Sequence, residues 1–96
     1  TLHRKGSFAH AHNHSYSDIS GAYYFKTNGR DGSIYFENPA KAQVTGFITH
    51  RIDNRIFFTP EVGKLLLFPG WLDHGVDFNT TDDDRVSVSF NINFNR

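Results

Sequence analysis

The sequence predicts an all-β domain built as a sandwich or a jelly roll. Short runs rich in Ile, Val, Phe and Tyr alternate with Gly, Asn, Asp and Pro, and no apolar period of 3.6 residues is sustained. Aromatic residues make up 16% of the chain, which favours strands. A chain of 96 residues can form one hydrophobic core but not two, so residues 1–96 are expected to be a single domain with a single site.

Short antiparallel strands are expected throughout, with little or no helix. They cover residues 7–14, 21–27, 33–37, 55–59, 64–68, 75–78 and 85–94. Turn-forming pairs such as Asn28-Gly29 and Pro69-Gly70 separate them, because these residue types favour the backbone angles of tight turns. Residues 40–54 are left without a strand, and a long loop on a rigid scaffold predicts a lid that selects the substrate.

The last predicted strand, RVSVSFNINF, has one polar and one apolar face. Side chains alternate along a strand, so Arg85 and the serines share one side while the valines and Phe90 share the other. The polar face either meets solvent or lines a cavity inside the roll. The apolar face must be covered by another layer or a second subunit, so we expect a homodimer.

Composition excludes several classes of function. Ten basic and ten acidic residues give no net charge with neutral histidines, so neither nucleic acid nor an anionic membrane is expected as a partner. The absence of cysteine excludes disulfides, thiolate ligands and a cysteine nucleophile. No apolar run approaches the roughly 18 residues of a membrane span and no signal peptide opens the chain, so a cytoplasmic protein is expected. Position 1 is not methionine, which indicates a piece that lacks upstream elements.

Histidines at alternate positions point to a metal site. His10, His12 and His14 alternate, and such residues project to one side of a strand, about 7 Å apart, from where two imidazoles can converge on one ion. On this spacing alone, an exposed polar strand is the commoner explanation. His74 follows an apolar strand and a turn that would hold it rigidly, and this third imidazole favours a site formed by His12, His14 and His74.

Other ionisable residues near these histidines are weaker candidates for metal ligands. His10 shares the face of His12 and is either a neighbour of the ligands or an edge residue. Asp18 lies four residues beyond His14 and could supply a carboxylate if the chain turns back. His3 and His50 have no comparable partners, so we expect both of them on the surface.

Four segments occur in order along the chain: HNHSYSDISGAYYF, GSIYFENP, GKLLLFPGWLDHGV and RVSVSFN. Together they resemble the 2-oxoglutarate/Fe(II)-dependent oxygenases. The resemblance is closest to a small branch found in phages and marine bacteria that carries H-x-H, S-G-x-Y-Y, F-P-x-W-x-x-H and R-x-S-x-S-F-N. It runs from about His12 to Asn91 and implies a double-stranded β-helix, which is a jelly roll.

The resemblance implies Fe(II) and 2-oxoglutarate as cofactors, and hydroxylation of a substrate that the sequence does not identify. His12 matches the first histidine of the family's H-x-D/E motif, His14 matches its second position, and His74 matches the distal histidine. The iron of such a site keeps open positions for the keto acid and for oxygen.

The resemblance also assigns residues to the keto acid. Arg85 matches the arginine that pairs with the distal carboxylate of 2-oxoglutarate, and a planar guanidinium can bind a carboxylate through two hydrogen bonds. Ser87 lies on the face of Arg85 and could donate to the same carboxylate. Tyr24 falls where prolyl-hydroxylase-like enzymes place a tyrosine that helps to hold the keto acid.

The chain departs from the family pattern at His14, which replaces the carboxylate. Three neutral imidazoles leave more positive charge on the iron. Either Asp18 supplies the carboxylate, or the site is all-nitrogen, or catalysis has been lost. Two alternatives to the oxygenase therefore remain: a cupin-type three-histidine metalloprotein, and a non-catalytic jelly-roll module for binding or assembly. A cupin needs no arginine facing the metal, so Arg85 separates the first alternative from the oxygenase.

Overall fold

The computed structural model describes residues 1–39 and 55–94, and this part of the chain consists of strands and turns without a helix. The strands are β1 Leu2–His3, β2 Ala9–His12, β3 Ile19–Lys26, β4 Ile34–Glu37, β5 Arg55–Phe58, β6 Leu65–Pro69, β7 His74–Val76 and β8 Arg85–Ile92. Among these residues there is accordingly no helix of the length and apolarity needed to cross a membrane.

The strands form two four-stranded sheets in which every pairing is antiparallel. The first sheet has the order β1-β8-β3-β6 and the second has the order β2-β7-β4-β5. The chain changes sheet at every step except between β4 and β5. Two sheets connected in this way make a jelly roll, so the predicted fold class is confirmed.

Each predicted strand is present, with bounds that differ by a few residues at the ends. The sequence did not indicate β1, because two residues are too short to show an alternating pattern. β1 forms only because Leu2 and His3 pair with Val86 and Arg85 at the edge of the first sheet. The proposed lid at residues 40–54 lies outside the described residues.

The polar face of β8 is turned towards the space between the sheets. Arg85 and Ser87 are buried, with 4% and 5% of their surfaces exposed, and they line an internal cavity. The opposite face of the strand points away from the second sheet and is open, since Val88 remains 52% exposed and Ile92 40% exposed. At Arg85 and Ser87, therefore, the polar face of β8 lines a cavity and does not meet solvent.

His3 is buried rather than on the surface, so that expectation was wrong. It is 7% exposed because β1 places it directly opposite Arg85, inside the sandwich. Its Nε2–H donates to the carbonyl of Asp77 at 3.1 Å. The fully buried Asn79 donates to the carbonyl of His3 at 2.9 Å and thereby holds β1 in place. His50, the other histidine expected on the surface, lies outside the described residues.

Acidification is expected to reduce stability through His3. Burial lowers the pKa of His3 below its ordinary value of 6.5, so the unfolded chain takes up a proton at a higher pH than the folded chain does. The free energy of unfolding should therefore fall as the pH drops below about 6.5, until the lowered pKa is passed. Urea unfolding of the wild type and His3→Gln between pH 5 and 8 measures the effect. The change of the unfolding free energy with pH should be smaller in His3→Gln than in the wild type, and it should match the wild type in the exposed control His10→Gln. The same pH dependence in all three proteins would contradict a role of His3.

The exposed apolar face of the first sheet generates a prediction about self-association. Leu2, Tyr23, Leu65 and Val88 all project from this face and are 39% to 53% exposed. A continuous apolar face of this kind is uncommon on monomers, so we propose that a second copy covers it. Light scattering after gel filtration should give the mass of a dimer for the wild type and of a monomer for Val88→Lys. Val62→Lys, in the turn before β6, is the control and should stay dimeric; a monomeric wild type would refute the proposal.

Candidate metal centre and the adjoining cavity

Three histidines converge at one end of the sandwich. His12 ends β2 and His74 begins β7, and the two residues are direct partners in the antiparallel ladder. One ring nitrogen from each of His12, His14 and His74 lies within 4.8 Å of the others. Two nitrogens that each lie about 2.0–2.1 Å from one ion are at most about 4.2 Å apart, so the three rings would draw slightly closer together to share a metal.

His14 lies beyond the end of β2, and a turn from the other sheet holds it in place. Its backbone N–H donates to the carbonyl of Gly70 at 2.8 Å. Gly70 can approach this closely because it has no side chain: a Cβ there would lie 2.2 Å from the carbonyl oxygen of Ser17 and 2.6 Å from that of His14. The glycine of the Pro69-Gly70 turn thus joins the end of β6 to the metal centre.

Hydrogen bonds at Nδ1 orient all three rings. The Nδ1–H of His12 donates to the carbonyl of His10 at 2.7 Å, and that of His74 donates to the carbonyl of Leu72 at 2.9 Å. A carbonyl oxygen can only accept, so these two rings carry their proton on Nδ1 and leave the Nε2 lone pair for a metal. Partners of this kind commonly orient ligating histidines and raise their basicity.

The third ring is oriented by a side chain instead of a carbonyl. Nδ1 of His14 lies 2.9 Å from the hydroxyl of Tyr16. The side-chain amide of Asn91 is 3.5 Å from the same hydroxyl, and its oxygen accepts a 2.7 Å hydrogen bond from Ser20. The orientation of His14 therefore depends on side chains from β3 and β8 in addition to its own loop.

Burial favours the neutral, metal-binding form of two of the rings, those of His14 and His74. It lowers the pKa of His74, and positive charge on His12 or His14 would lower it further. Burial also lowers the pKa of His14, with His12 as the second cause. Neutral imidazoles have the free lone pair that a metal requires, so the donor set fits a divalent transition metal such as Fe(II).

Neither of the other candidate residues is part of this cluster in the described structure. Oδ2 of Asp18 accepts a hydrogen bond from the backbone N–H of Phe94 at 2.6 Å. His10 is exposed, its ring packs edge-on against Phe8, and it contributes its carbonyl oxygen to orient His12. The cluster that the structure forms is thus all-nitrogen.

A cavity of about 470 Å³ extends from the three histidines into the sandwich. The first sheet contributes polar side chains to its wall, and the second sheet contributes Ile34 and Val76. Arg85, Ser87 and Tyr24, the residues assigned to the keto acid by resemblance, all line it. His3 lines it as well, although the sequence did not indicate it.

Arg85 is a buried cation, and no carboxylate of the described residues lies within salt-bridge distance of it. Its Nη1 donates to the carbonyl of Gly32, and its guanidinium lies 5.4 Å from the centre of the Tyr24 ring. Its Nε is buried and has no hydrogen-bond partner, and it forms no salt bridge within the described residues. Burial lowers the pKa of Arg85, although Tyr24 and Asp31 act in the opposite direction.

The surroundings of Arg85 suit a bound carboxylate. Burying a charge without a partner is unfavourable, and a carboxylate entering the cavity would supply both the charge and acceptors. Tyr24 is 2% exposed, and burial raises the pKa of its hydroxyl, which therefore stays protonated and able to donate. The buried hydroxyl of Ser87, opposite Tyr24 in the ladder, is a third donor on this wall.

The sequence did not reveal the chain of hydrogen bonds that links His14 through Tyr16 and Asn91 to Ser20. The alternation of His14 and Tyr16 was a local signal that could have been used. The contribution of Ser20 and Asn91 could not be anticipated, because it requires the register of β3 against β8. Trp71 is 58% exposed, whereas Phe68 is buried and its ring centre is 4.7 Å from that of His74.

Comparison with known proteins identifies the family of the chain. A protein-family model described as "Putative 2OG-Fe(II) oxygenase" matches residues 1–91. The match includes the three clustered histidines and Arg85. A comparison with curated proteins finds no match for the chain.

Tyr16→Phe is expected to weaken metal binding by about tenfold, the lower end of the effect of losing a partner of a ligating histidine. The change removes the hydroxyl that orients His14 and leaves the other two rings, which use carbonyls, undisturbed. Titration with Co(II), followed by its visible absorption, gives the affinity. Tyr23→Phe, on the outer face of the first sheet, is the control. An affinity unchanged in Tyr16→Phe would show that the hydroxyl does not orient His14.

Proposed function

We propose an activity for this chain from the premise that it belongs to the 2OG-Fe(II) oxygenase family. The proposed activity is that of an Fe(II)- and 2-oxoglutarate-dependent dioxygenase that hydroxylates a substrate. His12, His14 and His74 would hold the iron through Nε2. Arg85, Ser87 and Tyr24 would hold the keto acid. When bound, iron and 2-oxoglutarate supply the oxidising power: a substrate C–H bond, O₂ and 2-oxoglutarate would give the alcohol, succinate and CO₂.

The buried guanidinium of Arg85 is the observation that carries this proposal. Its Nε–H is directed at no acceptor in the described residues, and an oxygenase of this family needs a cation for the distal carboxylate of its cosubstrate. Ser87 and Tyr24 add neutral donors that can share the same carboxylate. The protein's part would be to bind and orient the keto acid in this cavity.

The three-histidine cluster supports a second candidate, a cupin-type metalloprotein that does not use 2-oxoglutarate. Histidine replaces the carboxylate of the usual 2-His-1-carboxylate site, and Asp18 is hydrogen-bonded elsewhere. In that case Arg85 would serve only to hold the turn at Gly32. We favour the oxygenase because a structural arginine would not leave a buried N–H without a partner.

Anaerobic titration of the metal-free protein with Fe(II) and then with 2-oxoglutarate tests the function. A visible charge-transfer band is expected, because a keto acid chelated to Fe(II) absorbs there. Arg85→Ala should raise the Kd for 2-oxoglutarate by roughly 30-fold or more, the effect of truncating one side of a buried charge pair. Arg85→Lys keeps the positive charge but loses the planar guanidinium. Its Kd for 2-oxoglutarate should therefore lie between those of the wild type and Arg85→Ala.

The exposed residue Arg4 provides the matched control, since Arg4→Ala should leave the band and the affinity unchanged. Circular dichroism establishes that each variant is folded. Iron binding without a band would favour the cupin-type protein, and a chain that binds no iron would be a non-catalytic module.

A further inference from the structure

A second cleft, whose described lining residues all have apolar side chains, opens between the sheets beside the candidate metal centre. It lies between β5 and β6, which are edge strands of different sheets and do not pair with each other. Its volume is about 360 Å³, within the range of small-molecule sites. The described residues that line it include no polar or charged side chain. Among them are Phe36, Ile56, Phe58, Leu66, Phe68 and Leu72.

Two of these side chains face inwards and yet remain in contact with water. Ile56 is the ladder partner of Phe36, and Phe58 is the partner of Ile34, so both lie on the face that carries His74. Nevertheless Ile56 is 59% exposed and Phe58 is 38% exposed. Apolar surface on an inner face is a place where an apolar ligand gains most from leaving water.

The cleft and the metal centre share two aromatic rings. The ring centre of Phe68 lies 4.7 Å from that of His74, and the Phe36 ring lies 4.8 Å from Phe68. Phe36 also contacts Phe58 at 5.6 Å, farther out in the cleft. A group bound against Phe36 and Phe68 would therefore lie next to a metal-binding histidine.

The two spaces beside His74 differ sharply in chemistry. The 470 Å³ cavity contains the buried cation Arg85 and several hydroxyl groups, which suit a dicarboxylate. The second cleft has no group among its described residues that could pair with a charge. Two ligands of opposite character can therefore bind on two sides of one metal centre.

We infer that the cleft binds the primary substrate, and that the part bound there is an aliphatic or aromatic hydrocarbon group bearing the C–H bond to be hydroxylated. This inference rests on the proposed dioxygenase function and adds the class of its substrate. A substrate whose reacting part is charged or strongly polar would lose hydration in this cleft without gaining a partner.

Binding of neutral straight-chain alcohols, from butanol to octanol, tests the cleft without requiring turnover. Ligand-observed NMR gives each Kd. Affinity should rise by about fourfold for each added methylene until the cleft is filled. Ile56→Ser should weaken octanol binding by about fivefold or more. Val62→Ser alters an apolar residue of similar exposure, 66%, in the turn before β6, and should leave the affinity unchanged.

The position of the alcohol relative to the metal is the second measurement. Mn(II) added to the protein should broaden the signals of bound octanol through its unpaired electrons, whereas diamagnetic Zn(II) should not. Affinity independent of chain length, equal loss in the two serine variants, or no broadening with Mn(II) bound would each overturn the inference. Normal alcohol binding by a protein that forms no charge-transfer band with Fe(II) and 2-oxoglutarate would instead refute the proposed function, so the two failures can be told apart.

Discussion

The antiparallel pairing of β3 with β8 is the constraint on which the rest of the site depends. This ladder places Tyr24 opposite Ser87 and Ser20 opposite Asn91, all on the inner face of the first sheet. Side chains alternate, so a slip of one residue would turn this polar row outwards and the apolar row inwards. Gly21 helps to fix the register, because any Cβ there would lie 2.3 Å from the ring of Phe90.

This register has an energetic consequence at Arg85. It buries a guanidinium that contacts a carbonyl and an aromatic ring but forms no salt bridge with any carboxylate of the described residues. Such an arrangement is costly for the free fold and is favourable once an anion enters. In the proposed function, the unpaired cation would lower the stability of the free protein and raise its affinity for 2-oxoglutarate.

The metal centre, in contrast, depends on contacts between the two sheets. His12 and His74 come from paired strands of the second sheet, whereas His14 is held by the carbonyl of Gly70, at the end of a strand of the first sheet. Phe68, also from the first sheet, packs on His74 from the other side. Closing the sandwich therefore assembles the three imidazoles and, at the same time, separates the polar cavity from the apolar cleft.

The sequence by itself determined the strands, the alternation of β8 and the identity of the three histidines. These follow from local rules: a period of two residues, the turn preferences of glycine and proline, and the projection of alternate residues to one side. Tertiary structure alone decided the burial of His3, the hydrogen bonds of Asn91 with Tyr16 and Ser20, and the apolar cleft. Each of these depends on residues far apart in the chain, such as His3 opposite Arg85 and Phe36 against Phe68, and a local pattern carries no information about which distant strand will be the neighbour.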